Sequence, residues 1–257
     1  MGQARAGRVY RGGPALSLTI LPFQFPGVPG VGCAFSTRGF GTVSLSSGDA
    51  SSASRRASIP ALLGVEAFAE VHQVHGVRTV FEPQPQNPHA VPCEQADGMA
   101  TSRPGLALMI KTADCQPILV AHESGRFVMA VHAGWRGNRQ DYPRLAVEQF
   151  CERYGLDPAE LWAVRGPSLG PAASEFVNFA QEWGPEFLPW YDEARRTVDL
   201  WMLARHQLET AGLRPGRILG IDLCTFDNSE LFFSYRRFRR FGVEDGRQGS
   251  FIWIRAE

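Results

Sequence analysis

The sequence predicts an α+β fold in a single domain, on three observations. Short apolar runs bounded by turn residues have the length of buried strands. Capped helical patterns with one apolar face are interspersed with them. The two kinds of element do not alternate as they would in a parallel β-α-β sheet. At 257 residues the chain can bury a sizeable core, and 44% hydrophobic with 20% charged residues is ordinary for a globular enzyme.

Residues 1–30 are rich in Gly, Pro and Arg and read as an irregular N-terminal segment with one strand at 16–21. Residues 39–58 are small and polar and predict a loop. A short helix is expected over 61–70. Pro83, Pro85, Pro88 and Pro92 exclude regular structure from 82–95, which reads as a surface connection. Runs at 106–110, 118–121 and 127–131 are buried strands. Asp141-Tyr142-Pro143 opens a helix: Pro143 suits the first turn, Val147, Phe150, Cys151 and Tyr154 share a face, and Gly155 suits the residue past its end. Asp157-Pro158-Ala159-Glu160 predicts a very short helical start. Strand 162–164 leads into the loop from Gly166 to Pro171. Asp199 caps a helix through Leu200, Leu203, Ala204 and Leu208 to Gly212. Runs at 217–221, 232–235 and 251–254 are further strands.

Composition narrows the function classes. Lys and Arg together number 26, as do Asp and Glu, so net charge gives no argument for nucleic acid or a membrane surface. Lys111 is the single lysine; all other cations are arginine. Five widely spaced cysteines do not suggest a disulfide framework and fit a reducing compartment. The N-terminal arginines are not followed by an apolar core of a secretory signal, and no apolar run approaches the ~20 residues that span a bilayer. The expectation is a cytoplasmic monomer acting on a small molecule.

Three motifs supply donors for one metal ion: Gln73-Val74-His75-Gly76, Ala113-Asp114-Cys115-Gln116-Pro117, and Val131-His132-Ala133-Gly134-Trp135-Arg136-Gly137. His75, Cys115 and His132 are the candidate ligands. Three donors leave one position of a tetrahedral zinc open, which distinguishes a catalytic from a structural site. One thiolate and two neutral imidazoles leave a formal charge of +1, which lowers the pKa of a bound water. The spacing is not that of a zinc finger. His72, three residues before His75, would face the other way in an extended strand and is not expected to bind. Asp114 is read in two ways, as an acceptor orienting His75 or His132, or as a turn-forming aspartate.

In this order, the three motifs resemble the YfiH-type family, which carries the labels multicopper polyphenol oxidase (laccase domain), peptidoglycan editing factor and purine nucleoside phosphorylase. The resemblance continues through Phe35-Ser36-Thr37-Arg38, Arg165-Gly166-Pro167-Ser168-Leu169-Gly170-Pro171, Cys224-Thr225, Phe232-Phe233-Ser234-Tyr235-Arg236-Arg237 and Gly246-Arg247-Gln248. It covers residue 30 to the C-terminus and departs from the family pattern mainly across 39–56. It implies a mixed β-sandwich flanked by helices, and a zinc enzyme whose catalytic residues are His75, Cys115, His132 and Asp114.

The implied activity is phosphorolysis of adenosine, inosine, guanosine and methylthioadenosine, with adenosine deamination as a second activity. Arg38, Arg136 and Arg236 lie in matched motifs and are the candidate substrate contacts, as forks for phosphate. Three alternatives stay open. One is a peptidoglycan-precursor amidase with Cys115 as nucleophile. Another is a copper polyphenol oxidase, disfavoured because six histidines are too few for the copper centres of a laccase. The third is a non-enzymatic metal-binding module. No phosphate-cradling glycine motif is present, so ATP and dinucleotide chemistry are not expected.

Overall fold

The computed structural model describes residues 18–256. Its strands are β1 (Ile20–Phe23), β2 (Val31–Ser36), β3 (Ala67–Ala69), β4 (Thr79–Phe81), β5 (Gly98–Thr101), β6 (Leu106–Thr112), β7 (Gln116–His122), β8 (Val128–Ala133), β9 (Leu161–Arg165), β10 (Tyr191–Asp192), β11 (Thr197–Val198), β12 (Ile218–Gly220) and β13 (Gln248–Ile254). Its α-helices are α1 (Ser52–Ala57), α2 (Ile59–Leu63), α3 (Trp135–Arg139), α4 (Tyr142–Tyr154), α5 (Phe179–Glu182), α6 (Leu200–Thr210) and α7 (Tyr235–Phe241). One sheet runs β1-β2-β13-β6-β3 and the other β12-β9-β7-β8-β5-β4, both mixed parallel and antiparallel; β10 and β11 form a separate pair.

Strand periodicity explains the layering. Alternate residues of a strand face opposite sides. Leu106, Leu108 and Ile110 of β6 meet Leu119 and Ala121 of β7 and Val128 and Ala130 of β8 in a core between the sheets. The residues between them, Ala107 and Met109 on one sheet and Ile118, Val120, Met129 and Val131 on the other, face outward. Helices α4 and α6 cover the second group, through Ala146, Val147, Phe150, Ala204 and Leu208. Ile59 of α2 covers the first. The fold is a mixed β-sandwich flanked by helices, in the α+β class.

Both predicted long helices stand. α4 carries Pro143 in its first turn and ends at Gly155, whose φ of 65° is left-handed. Asp199 caps α6 by accepting the N–H of Met202 at 2.9 Å.

Four expectations need correction. Residues 61–70 are not one helix: α2 stops at Gly64, where φ is 67°, and residues 67–69 pair with β6 as β3. Residues 39–58 are not all loop, since Ser52–Ala57 form α1. Residues 232–235 are not a strand, because Ser234 caps α7 by accepting the N–H of Arg237. The strand expected at 16–21 is β1, from Ile20; residues 16 and 17 lie outside the described residues.

Candidate metal centre and cleft

Strand register assembles the site at one end of the sandwich. β7 and β8 pair with Pro117 opposite His132 and Gln116 opposite Ala133. Cys115, just before β7, therefore lies beside Gly134. β5 pairs with β8 so that Gly98 faces Val131, which brings Asp97 beside His132. His75 comes from the loop between β3 and β4. Gln73 anchors that loop by pairing with the backbone of Lys111 on β6: its side chain donates to the Lys111 carbonyl at 2.8 Å and accepts the Lys111 N–H at 2.9 Å.

Donor atoms of His75, Cys115 and His132 lie within 4.8 Å of one another. No other cluster of three potential ligands occurs among the described residues. His132 is buried, Cys115 half-buried and His75 exposed. The two imidazoles meet edge to face with centroids 4.8 Å apart. His72 does not join them; its backbone bridges to Gln95 instead.

Asp97 organises the centre. Its Oδ1 lies 2.8 Å from Nδ1 of His132, and its carboxylate accepts the backbone N–H groups of Val74, His75 and Gly76. Three successive amides converging on one carboxylate form an anion nest. That nest holds His75 at a left-handed φ of 60°. Burial opposes ionisation of Asp97, but the bonds from His132, Gly76 and His75 outweigh it and hold its pKa below the usual carboxylate value. Burial likewise opposes the Cys115 thiolate, yet His132 and His75 lower its pKa to about 6. The His132 pKa rises to about 9: burial opposes the charge, while Cys115 and Asp97 favour it.

This donor set fits a metal ion. The carboxylate on Nδ1 of His132 leaves Nε2 as its free donor, the usual arrangement for a ligating histidine. Gly134 leaves the required space: a Cβ there would stand 2.6 Å from Nδ1 of His75 and 3.2 Å from Sγ of Cys115.

Asp114 proves to be the turn residue. Its φ is 93°, and its carboxylate accepts Thr225 Oγ1 at 2.7 Å and the N–H of Arg236 at 2.6 Å. It thereby ties the Cys115 loop to the C-terminal segments, while Asp97 takes the orienting role.

The centre opens into a cleft of about 1060 Å³. Trp135, Phe176 and Tyr235 contribute aromatic faces to it, and Arg136 and Arg236 contribute guanidinium groups. Arg136 stacks over Trp135 at 4.2 Å. Arg38 does not line the cleft. It pairs with Glu244 at 2.7 Å and packs over Phe233, so its selection as a substrate contact is corrected. Lys111 and Arg56 also line the cleft and share the buried carboxylate of Glu70.

Residues 35–255 match the family described as multi-copper polyphenol oxidoreductase laccase. The chain belongs to this family, the YfiH-type family. It is 35% identical over 190 residues to a purine nucleoside phosphorylase of Pseudomonas aeruginosa, covering 71% of this chain and 72% of that protein. It is 33% identical to the purine nucleoside phosphorylase YfiH of Escherichia coli, over 63% of this chain and 65% of that one. YlmD from Geobacillus stearothermophilus shares the fold, with a TM-score of 0.80 and 24% identity over 90% of this chain and 94% of that chain.

Proposed function

We propose that the chain works as a single-domain, zinc-dependent purine nucleoside phosphorylase in the cytoplasm, acting on adenosine, inosine, guanosine and methylthioadenosine, with adenosine deamination as a second activity. The carrying observation is a His-Cys-His cluster, its donor atoms within 4.8 Å of one another, that opens into a cleft. Relatives named as purine nucleoside phosphorylases support the reaction class.

His75, Cys115 and His132 hold the ion, which when bound supplies a Lewis acid with a residual positive charge. Asp97 keeps its hydrogen bond to Nδ1 of His132 and so fixes the imidazole. Arg136 and Arg236 orient phosphate against the ribose. In phosphorolysis a phosphate oxygen bonds to C1′, the bond from C1′ to the purine nitrogen breaks, and the purine leaves with that electron pair and takes up the proton that the attacking hydrogen phosphate gives up. In deamination a water oxygen bonds to C6, the bond from C6 to the amino nitrogen breaks, and one water proton leaves with that nitrogen as ammonia while the other stays on the inosine product. The aromatic faces of Trp135, Phe176 and Tyr235 suit a planar base.

The test is metal analysis of the purified protein with a nucleoside screen run with and without phosphate. The expected result is about one zinc per chain and purine release that requires phosphate. Release without phosphate dependence overturns the reading.

One observation favours a second reading. Taken as a triad, Cys115, His132 and Asp97 form a thiolate nucleophile, an imidazolium that can pass a proton to the leaving group, and an orienting carboxylate, with the thiol pKa lowered to about 6 and that of His132 raised to about 9. That arrangement suits an amidase acting on a peptidoglycan precursor. Activity that survives chelation and traps an acyl group on Cys115 would select it.

A further inference from the structure

Helix α7 carries more positive charge than a nucleoside and one phosphate use. Arg236, Arg239 and Arg240 stand at i, i+3 and i+4, which places them on one face of the helix. All three line the cleft, as does Arg136 from the α3 side. Among the described residues, none of these four guanidinium groups lies within salt-bridge distance of a carboxylate, although thirteen guanidinium–carboxylate pairs occur elsewhere. Arg236 gives one bond to the Glu175 carbonyl, and Arg239 reaches only the Tyr235 hydroxyl, at 3.5 Å. The other cleft cations are engaged: Arg56 and Lys111 by Glu70, and Arg247 by Asp245. Of the cleft acids, Asp114 is taken by Thr225 and the Arg236 N–H, Glu175 pairs with Arg196, and Glu182 remains. The balance at this end of the cleft is cationic.

Position relates this charge to the centre. The Arg236 N–H is bonded to Asp114, the residue next to Cys115. At ~1.5 Å rise per residue, Arg240 lies ~6 Å further along the helix axis. The cleft, about 1060 Å³, is at the upper end of the range of small-molecule sites, roughly 300–1,000 Å³.

We propose that this end of the cleft is a subsite for the 5′-phosphate chain of a purine nucleotide, so that the protein takes purine nucleoside 5′-diphosphates as well as neutral nucleosides. The inference rests on the purine reading above for the identity of the base. Arg239 and Arg240 grip the distal phosphate, and the base lies toward the metal centre. Paired guanidinium forks give the charge-assisted bonds that select phosphate over hydroxyl.

The test is titration calorimetry of the zinc-loaded protein with adenosine, ADP, UDP and inorganic pyrophosphate, at low and at physiological salt. ADP should bind at least about tenfold more tightly than adenosine, with the difference shrinking as salt rises. In Arg239→Ala/Arg240→Ala that preference should vanish while adenosine binds as before, which also shows the variant is folded. Arg239→Lys/Arg240→Lys should keep part of it. Equal affinities for ADP and adenosine, or a preference that survives the double alanine variant, overturn the proposal. UDP or pyrophosphate binding as tightly as ADP overturns its purine component. Calorimetry needs no turnover, so absence of phosphorolysis would sink the phosphorylase reading and leave this comparison intact.

Discussion

Asp97 lies 2.8 Å from Nδ1 of His132 while the same carboxylate gathers the backbone amides around His75. One side chain therefore aims two of the three proposed ligands. Asp97→Asn should loosen both, because an amide has one acceptor oxygen where the carboxylate has two. Zinc affinity is expected to fall roughly 10- to 100-fold, read by competition with a chelator of known affinity. An unchanged affinity would show that the histidines are held by packing alone.

Metal affinity should depend on pH through the two shifted groups. Binding requires a thiolate and a neutral imidazole. Below pH 6 both Cys115 and His132 must release a proton, between about 6 and 9 only His132 must, and above 9 neither. Apparent affinity should thus rise about tenfold per pH unit across that middle window and then level off. A flat profile between pH 6 and 9 contradicts the assigned protonation states.

Gly134→Ala places a methyl group against His75 and Cys115. The fold should survive, since the clash falls on site side chains and φ at Gly134 is −73°, open to any residue. Metal content and activity should both drop below a tenth of wild type, by order of magnitude, with an unaltered circular dichroism spectrum. Full metal occupancy in the variant would place the ion elsewhere.

The arginines separate by position. Arg136→Ala and Arg236→Ala should each raise the phosphate KM by roughly 10- to 100-fold, from the loss of a charge-assisted bond of ~1.5–3 kcal/mol. Adenosine deamination, which uses water, should change much less. Arg38→Ala should leave phosphate KM near wild type, because its guanidinium is engaged by Glu244 outside the cleft. Equal loss of both activities in Arg136→Ala and Arg236→Ala would assign these residues to the nucleoside or to the fold.

Glu70 is fully buried between Arg56 and Lys111, and Arg56 is itself fully buried. Glu70→Gln would leave the Arg56 and Lys111 charges facing one neutral amide oxygen, with the carbonyls of Pro88 and Val43 as the other partners of Arg56. A loss of about 3–5 kcal/mol is expected from urea denaturation. A loss under about 1 kcal/mol would indicate that water reaches the pair.

The three candidate donors are legible because each sits in its own short motif at a strand end or turn, and the structure brings them together. Their partner is not. Asp97 lies in Gln95-Ala96-Asp97-Gly98, which has no spacing relation to any histidine and joins His132 only through the pairing of β5 with β8. A lone carboxylate opening a short apolar strand was the available signal. Asp114 is ambiguous in sequence because it adjoins the candidate ligand Cys115, while its hydrogen-bond partners lie 111 and 122 residues away. The start of α7 is hidden for a local reason: Phe232-Phe233 has the apolar pattern of a strand, and the cap at Ser234 depends on the Arg237 N–H turning toward it. The long helices were legible from their own caps, which need no distant partner.

The position of β13 bears on how the chain reaches this state. It lies between β2 and β6, in the middle of its sheet, although it is the last strand in sequence. Until residues 248–254 arrive, β2 and β6 each present an open edge, and β2 has only β1 beside it. Such edges recruit strands from other molecules. During synthesis, most of the protein must therefore wait with an unfilled slot in one layer of its sandwich. Pairing of β13 with β2 on one side and β6 on the other closes both edges at once.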